Sequence, residues 1–488
     1  MQLRPRLAAL GTLVLAACAS TPPAPDAPTL IRQAEQAMGS AALKTLTITA
    51  GGSGATFGQA WQPGLAWPGL NYSVITRASN LETGAFSETF ARSRSEPNGG
   101  GATPLMGLGE QRATGFVRDG FAWNAAGTAA TPAQVAVAAR QHDLWLGSPH
   151  AAVKAAARNG AVSGTRSEGG QTVNTLSFTI PGQLAATLVL DASGLVTRIE
   201  STMPHPVLGD TPVVTSFSDW RDVGGGLRYP MRLKQSQGTS AVLDVTVTEV
   251  KADAAVDIAV PDNVRSAREN VAVTKVADGV WYLAGGSHHS VAIEHADQIV
   301  LVESPLYDGR ALAAIEAANQ LVPGKKVQTV INSHHHFDHA GGLRTAAAEG
   351  AQLITSSMAK PYFERVFANP NKVAPDRLAA SGRTARIVGA GDKTVLNDAT
   401  RPVEIHEMKG SVHAQGFLMV WLPKEKLLIQ ADAFTPGAPG SPPPPAPNAN
   451  HVNLVQNIER LGLAPERILP LHGRVVPMSE LYAQIGRK

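Results

Sequence analysis

The sequence predicts an α/β protein in which a mostly-β N-terminal domain is followed by a layered α/β C-terminal domain. In residues 30–264, apolar and polar residues recur in alternation, which is typical of strands with one dry face. Further along, an apolar run at 298–302 is followed by a helical spacing over 310–322 and by a second apolar run at 327–331. The 47 Gly and 34 Pro supply turns, and 43% hydrophobic residues supply the cores.

Residues 1–18 have the pattern of a secretory signal. A basic start leads into a short apolar stretch, too short to span a bilayer as a helix, and then into small residues. The run Leu15-Ala16-Ala17-Cys18 resembles a bacterial lipobox, which implies cleavage before Cys18 and lipid attachment to it. Ala19 at the next position implies the outer membrane. We therefore expect an exported lipoprotein, anchored in the bacterial cell envelope at the periplasmic face of the outer membrane.

The segment 19–29 is rich in Pro, Ala, Ser and Thr, and this composition predicts a flexible tether. Cys18 is the single cysteine of the chain, so a disulfide within the chain and a cysteine metal cluster are both excluded. A net charge of +3 without a dense basic run argues against a nucleic-acid partner. Any metal site must therefore use histidines and carboxylates.

The domain expected over 30–264 opens with a short helix at 30–38 and continues mainly as strands. A hairpin is predicted at 217–230, and a short helix is predicted around 151–157. The strand rhythm resembles the curved half-barrel sheet of bacterial lipoprotein-carrier proteins. His142, His150 and His205 lie too far apart for metal spacing, so we expect no chemistry in this domain.

A charged, Pro-containing stretch at 261–270 predicts the boundary with the second domain, 271–488. After the strand, helix and strand described above, further strands are predicted at 403–408, 417–422, 426–430 and 468–471.

Four potential metal ligands follow the strand at 327–331 within six residues. They are His334, His336, Asp338 and His339. In an extended segment His334 and His336 point the same way and can hold one ion, while the other two fall where the chain must turn. Gly341 and Gly342 permit that turn and a close backbone approach. This pattern predicts two neighbouring metal positions.

The segment His-x-His-x-Asp-His followed by Gly-Gly resembles the signature of the metallo-β-lactamase superfamily. The resemblance extends over about 271–488 and implies an αββα sandwich. It also places the remaining ligands at His413, Asp432 and His472, each beside an apolar run. Ala431 stands where the family usually has Gly, which removes no ligand.

The resemblance implies a role for each of these side chains. His334, His336 and His413 would hold a first zinc ion, and Asp338, His339 and His472 a second, with Asp432 bridging both. By ligand type, iron or manganese would also fit. A metal-bridging hydroxide would attack the substrate, and Asp338 would orient it and manage its proton, which makes Asp338 the expected catalytic residue.

The other histidines are expected outside the site. His335 alternates away from it, His288 and His289 are predicted to be exposed, and His451 is the one that could approach the metals. The Pro-rich segment 435–450 follows Asp432 and is open to two interpretations, a stiff flap over an apolar cleft or a plain surface loop.

The expected function is a zinc-dependent hydrolase acting on a small-molecule substrate with an ester, lactone, thioester or amide-type bond. Sulfate-ester hydrolysis and β-lactam hydrolysis are alternatives on the same site. The second of these is less favoured because the superfamily's lactamases usually lack the bridging aspartate. An iron-binding oxidoreductase of the same fold and an envelope binding module without catalysis remain further alternatives.

Overall fold

The computed structural model describes residues 25–96, 101, 109–127, 129–180 and 184–487. The predicted signal segment, the lipidation site Cys18 and the first part of the predicted tether lie outside the described residues. Within the described part, no helix is both long and apolar enough to cross a membrane.

The N-terminal part is built on one antiparallel sheet, which has 13 strands in the described residues. The strands are β1 Thr45–Ala55, β2 Gly69–Asn80, β3 Ala85–Arg94, β4 Gln111–Arg118, β5 Phe121–Ala126, β6 Ala129–Pro132, β7 Val162–Glu168, β8 Gln171–Ile180, β9 Leu184–Leu190, β10 Val196–His205, β11 Gly209–Asp222, β12 Arg228–Gln237 and β13 Ser240–Ala252. Neighbours in sequence are neighbours in the sheet, except that β1 pairs with β13 at its centre and so joins the two arms. The hairpin predicted at 217–230 is present as β11 and β12.

Helices cover one face of this sheet. They are α1 Ala27–Met38, α2 Val137–Leu146 and α3 Pro149–Arg158. The buried sides of α1 and α3 share one apolar core with the strands. Because α3 is rich in alanine, it packs closely against its neighbours, and Ala151, Ala152, Ala155 and Ala156 are buried, whereas Ala157 is exposed.

Helix α1 begins earlier than predicted, inside the segment expected to be a tether. The Asp26 carboxylate accepts a hydrogen bond from the Thr29 amide, which caps the helix, and Pro28 in the first turn costs no hydrogen bond there. Ala27 is buried. The prediction of a flexible tether was therefore wrong for residues 27–29, where a cap outweighed the Pro- and Thr-rich composition.

The C-terminal part contains two sheets. After α4 Asp262–Arg265, the first sheet is formed by β14 Ala272–Ala277, β15 Val280–Ala284, β16 Ser290–Glu294, β17 Ile299–Val302, β18 Val327–Ile331, β19 Gln352–Ser356 and β20 Arg386–Ala390. The second is formed by β21 Lys393–Leu396, β22 Val403–Glu407, β23 Leu418–Leu422, β24 Leu427–Gln430, β25 Arg467–Pro470 and β26 Val476–Pro477. Strands β17 to β20 run parallel, as do β24 and β25.

Helices cover the outer faces of the two sheets. They are α5 Asp308–Asn319, α6 Phe337–Ala340, α7 Leu343–Ala348, α8 Lys360–Phe367, α9 Arg377–Ser381, α10 Ala449–Arg460 and α11 Met478–Gln484. One apolar core lies between the sheets and continues under α10 and α11, and another lies between the first sheet and α5, α7 and α8. The C-terminal part is thus the predicted αββα sandwich.

Several contacts join the N-terminal sheet to the sandwich, and two of them consist of several hydrogen bonds each. The β1–β2 loop, residues 56–68, reaches across to the end of β18. At the other contact, the Asp210 carboxylate accepts hydrogen bonds from the backbone amides of Lys372, at 2.8 Å, and Val373, at 3.1 Å. The Asp210 amide donates in turn to the Pro370 carbonyl at 2.7 Å. The β1–β2 loop contact is the one that bears on function.

Candidate metal centre

The seven predicted ligands lie at one edge of the sandwich because each follows the end of a strand or occupies a loop at that edge. The first four follow β18, where the chain turns into α6. Asp432 follows β24, and His472 follows the parallel strand β25, so both reach the same end of their sheet. His413 lies in the loop between β22 and β23. Strand ends of parallel sheets are where α/β folds commonly build sites.

Three histidines form the first cluster. The Nδ1 atom of His336 lies 2.9 Å from His334 Nε2 and 3.0 Å from His413 Nε2, and the two Nε2 atoms lie 3.1 Å apart. All three side chains are buried. The three nitrogens therefore point at one small volume.

The second cluster contains His339, His472 and Asp338. The Nε2 atoms of the two histidines lie 3.2 Å apart, and Asp338 Oδ2 lies 3.9 Å from His339 Nε2. The Asp338 side chain is 32% exposed and that of His472 is 18% exposed, whereas the first cluster is closed to solvent. The open side of the centre is therefore beside the second cluster.

Asp432 lies between the clusters and offers one oxygen to each. Its Oδ2 is 2.9 Å from His413 Nε2, and its Oδ1 is 3.0 Å from His339 Nε2 and 2.8 Å from His472 Nε2. Ala431 is fully buried beside it, and this departure from the family pattern does not displace the carboxylate. This is the geometry of a bridging ligand.

In the first cluster, the ring nitrogens of His334 and His336 that face away from the cluster are hydrogen-bonded, and this fixes which nitrogen of each ring is unprotonated. The hydroxyl of Ser333 donates to Glu303, 2.5 Å away, so it must accept from Nδ1 of His334, which leaves Nε2 of His334 unprotonated. Nε2 of His336 donates to the Ala60 carbonyl at 2.8 Å, which leaves its Nδ1 unprotonated.

The second cluster is arranged in the same way. Nδ1 of His339 donates to Glu303 at 3.0 Å, and Nδ1 of His472 donates to the Ser287 carbonyl at 2.7 Å. Imidazole nitrogens that converge in this way repel one another unless a cation, either a proton or a metal ion, lies between them, and imidazole with carboxylate suits zinc or another divalent transition metal. The residues present therefore fit a metal cofactor.

Burial and mutual charge set the protonation of the metal-free site. Burial lowers the pKa of His334 and His336 well below the usual range, so both are neutral. Burial opposes protonation of His339 as well, but the carboxylates of Asp432 and Asp338 outweigh it and raise the His339 pKa well above its usual range. For Asp432, burial opposes ionisation, but the surrounding histidines hold its pKa well below the ordinary value.

Two side chains that the sequence did not indicate complete the surroundings of the ligands. Glu303, at the end of β17, is fully buried and binds His339. His288, predicted to be exposed, is only 7% exposed, and its Nε2 lies 3.2 Å from Asp338 Oδ2. The loop after β15 folds back over the second cluster and buries His288. The one feature of the sequence that could have indicated Glu303 is its position as a polar residue directly after an apolar strand.

The remaining histidines lie outside the clusters. His335 is buried, and its Nε2 donates to the Ala60 carbonyl at 2.8 Å. The prediction that His289 is exposed was wrong, because it is 7% exposed and packs beside Tyr282. His451 packs against Phe434. The Pro-rich segment after Phe434 is largely exposed, and its contact with Gly473 is made by Pro436.

The N-terminal domain, in which no chemistry was expected, contacts the metal centre. The β1–β2 loop lies against the metal centre, where the Ala60 carbonyl binds two consecutive histidines and Gln59 donates to Asp338. No local pattern marks this loop as part of a site, because its partners lie some 275 positions further along the chain.

The family model described as the metallo-beta-lactamase superfamily matches residues 283–473, a range that contains all seven side chains. The C-terminal domain belongs to the metallo-β-lactamase superfamily. The N-terminal sheet lies outside the matched range.

Relatives of this metallo-β-lactamase domain are distant. The alpha subunit of 2,4-dinitroanisole O-demethylase from Nocardioides sp. is 23% identical over 158 residues, which cover 32% of this chain and 44% of that protein. A metallo-beta-lactamase from Pontibacter korlensis is 16% identical, with a TM-score of 0.35 and coverage of 44% of this chain and 98% of its own. Rubredoxin oxygen:oxidoreductase from Desulfovibrio gigas is 19% identical, with a TM-score of 0.34 and coverage of 43% and 58%. The chain thus spans less than half of its curated relative.

Proposed function

We propose that this protein is a zinc-dependent hydrolase with a binuclear centre, acting on an ester, lactone, thioester or amide-type bond of a small molecule. The observation that carries the proposal is the position of Asp432, which offers one oxygen to each histidine cluster. A shared carboxylate between two clusters of converging imidazole nitrogens favours two ions held close together. Two such ions, when bound, lower the pKa of a water molecule and polarise the substrate oxygen.

Asp338 has the features of the residue that orients the attacking water. Burial opposes its ionisation, but the charge of His339 and the hydrogen bond from His288 hold the pKa of Asp338 far below the ordinary value. The carboxylate is therefore ionised at neutral pH and can accept a hydrogen bond from water.

The substrate is expected to enter on the side of the second cluster, where Asp338 and His472 are partly exposed. Trp61, which is 37% exposed, lies in the β1–β2 loop two residues after Gln59, the contact of Asp338, and its indole Nε1 donates to the Ser411 carbonyl at 3.0 Å. An anchored, half-exposed aromatic ring favours a substrate with an apolar group next to the reacting bond.

A substrate panel on protein of known metal content tests the proposal. The panel contains esters, lactones, thioesters, amides, sulfate esters, β-lactams and an aryl methyl ether, the last because of the name of the Nocardioides relative. We expect hydrolysis of one of the carbonyl substrates. In His336→Ala the rate of this hydrolysis should fall more than about 100-fold, because loss of a metal ligand costs at least as much activity as loss of a residue that only hydrogen-bonds to a ligand. His451→Gln is the matched control, since His451 packs on Phe434 away from both clusters.

Other results of the panel would favour the alternatives. Turnover of a sulfate ester or a β-lactam alone would change the substrate class and keep the site. Stoichiometric iron in protein purified without added metal would favour an oxidoreductase of the same fold, since imidazole and carboxylate also bind iron. An absence of turnover in zinc-loaded protein would favour an envelope binding module.

The proposed location is the bacterial cell envelope, with a lipid anchor at Cys18. Support comes from the lipobox-like run that ends at this residue and from the apolar stretch before it. Cys18→Ala should release the protein from the membrane fraction and abolish labelling by a fatty-acid probe. Unchanged membrane association of that variant would contradict the anchor.

A further inference from the structure

We propose that the β1–β2 loop of the N-terminal domain is a working part of the metal centre, and that Gln59 in this loop is a positioning residue for Asp338. The inference rests on the proposed metal site. It adds a residue from outside the metallo-β-lactamase domain and assigns the N-terminal domain a part in the chemistry.

The backbone of the loop is fixed against the metal-binding turn on both sides of Gln59. The Gly58 carbonyl accepts a hydrogen bond from the Phe337 amide at 3.2 Å. The Ala60 carbonyl accepts from the rings of His335 and His336, both at 2.8 Å. One of these bonds is made by the ligand His336 itself, so the loop cannot shift without disturbing that ring.

Next to Ala60, the loop is also bound to the segment that carries His413. The Trp61 carbonyl accepts a hydrogen bond from the Gln415 amide at 2.7 Å, and the Trp61 indole donates one to the Ser411 carbonyl. The loop thus connects the turn after β18 with the loop between β22 and β23. Both of these segments supply the first cluster.

Aromatic packing holds the base of the loop. Phe57 packs edge-on against Phe337, with ring centroids 5.3 Å apart, and against Trp67 at 4.1 Å. His205, from the end of β10, packs on Phe337 at 4.7 Å. Gly58 has a φ of 77°, and a β-carbon at this position would overlap the Phe337 ring. The close approach that brings Gln59 to the metal centre therefore requires glycine at residue 58.

From this fixed backbone, Gln59 Nε2 donates to Asp338 Oδ1 at 2.8 Å. The other oxygen of the same carboxylate lies 3.2 Å from His288 Nε2. Asp338 is thus held from one side by the N-terminal domain and from the other by the sandwich. Two such contacts fix the rotation of a carboxylate that is 32% exposed and would otherwise turn freely.

The chemistry of the carboxamide suits this position. A carboxylate oxygen has room for a second partner beyond one hydrogen bond, so Gln59 does not block a metal at Asp338. A lysine or arginine there would add a positive charge that repels the cations. The neutral amide supplies a donor without that repulsion.

The test compares Gln59→Leu with Gln62→Leu in the full-length protein. Gln62 lies in the same loop, and its amide contacts the sulfur of Met358, so it is a matched control away from the ligands. Each protein is dialysed against a series of chelator-buffered Zn²⁺ concentrations, and the bound zinc per chain is measured. The unfolding temperature of the metal-free protein is recorded alongside.

We expect Gln59→Leu to lower the affinity for the second zinc ion by about 10 to 100-fold, as is usual when a residue that hydrogen-bonds to a metal ligand is lost. The affinity for the first zinc ion should be unchanged. On the substrate identified by the panel, Gln59→Leu should lower kcat and change KM by a smaller factor, because the orientation of Asp338 affects the chemical step more than substrate binding. Gln62→Leu should bind both ions like the wild type. If Gln59→Leu destabilises the metal-free protein, Gln59→Ala gives the same comparison with less bulk.

Equal zinc affinities for Gln59→Leu and Gln62→Leu would overturn the inference while leaving the binuclear site intact. Wild-type protein that binds fewer than two zinc ions would instead overturn the proposed function, and the inference with it.

Discussion

Glu303 is the residue on which both clusters depend. Its carboxylate accepts from the Asn332 amide at 3.0 Å, from the backbone and hydroxyl of Ser333, and from His339. It adopts a φ of 72°, a strained conformation for a non-glycine residue. Through Ser333 it sets the protonation of His334, and directly it sets that of His339.

We predict that Glu303→Gln lowers the affinity for both metal ions by about 10 to 100-fold. Every neighbour of the carboxylate is a donor, so the amide nitrogen of glutamine would meet another donor and turn one histidine. Equilibrium dialysis with Zn²⁺ measures the effect. The surface variant Glu349→Gln, which loses only an exposed ion pair with Arg377, is the control. Unchanged zinc binding in Glu303→Gln would contradict this role.

At the level of elements, the pair Gly341 and Gly342 allows α6 and α7 to pack against the β17–α5 connection. Gly341 has an ordinary helical φ of −64°, so the turn itself does not require glycine at this position. The predicted close approach is present, since a β-carbon on Gly341 would overlap the Leu306 carbonyl and one on Gly342 would crowd Ser304.

We predict that Gly341→Ala destabilises the protein by about 1 to 3 kcal/mol, as overpacking of a filled interior usually does. The displaced turn carries Asp338 and His339, so bound zinc should fall as well. Urea unfolding of the metal-free protein and zinc analysis measure the two effects. Gly391→Ala is the control, because a β-carbon there meets no atom within 4 Å. Equal stability of the two variants would refute the packing argument.

The elements nearest the metals could be predicted from sequence because their patterns are local. The strand at 327–331 ends where predicted, and the ligands follow it directly. His288, Glu303 and Gln59 could not be predicted, since each reaches the site from a loop or strand end without ligand spacing of its own. Their roles depend on which segments the fold brings together, and no pattern within a single segment contains that information.

For the molecule as a whole, buried neutral histidines make stability depend on pH. His150 is fully buried on α3, where it stacks on Tyr229 with ring centroids 5.2 Å apart and donates to the Arg228 carbonyl. Burial lowers its pKa to about 4. The unfolded chain binds this proton near pH 6.5 and the folded protein only near pH 4, so falling pH favours unfolding in this window.

We predict that His150 alone accounts for up to about 3 kcal/mol of stability lost between pH 7 and pH 4. His150→Gln retains a donor near Arg228 without a charge that titrates, so its stability should fall less steeply with acid. Urea unfolding with chelator present, at several pH values, measures the slope and removes any contribution from bound metal. An identical pH dependence in both proteins would refute the prediction.

The contact between Ala60 and His336 also has a consequence for biosynthesis. Strand β1, which carries the loop, is completed only when β13 pairs with it, as Leu46 does with Ala252. A ribosome must therefore make half of the chain before the two arms of the sheet can join through β1 and β13, and nearly all of it before His472 appears. The ability to hold both cations then arises only at the end of synthesis, because a product interrupted before residue 472 would carry the signature turn but lack His472 and, if interrupted earlier, Asp432 and His413 as well.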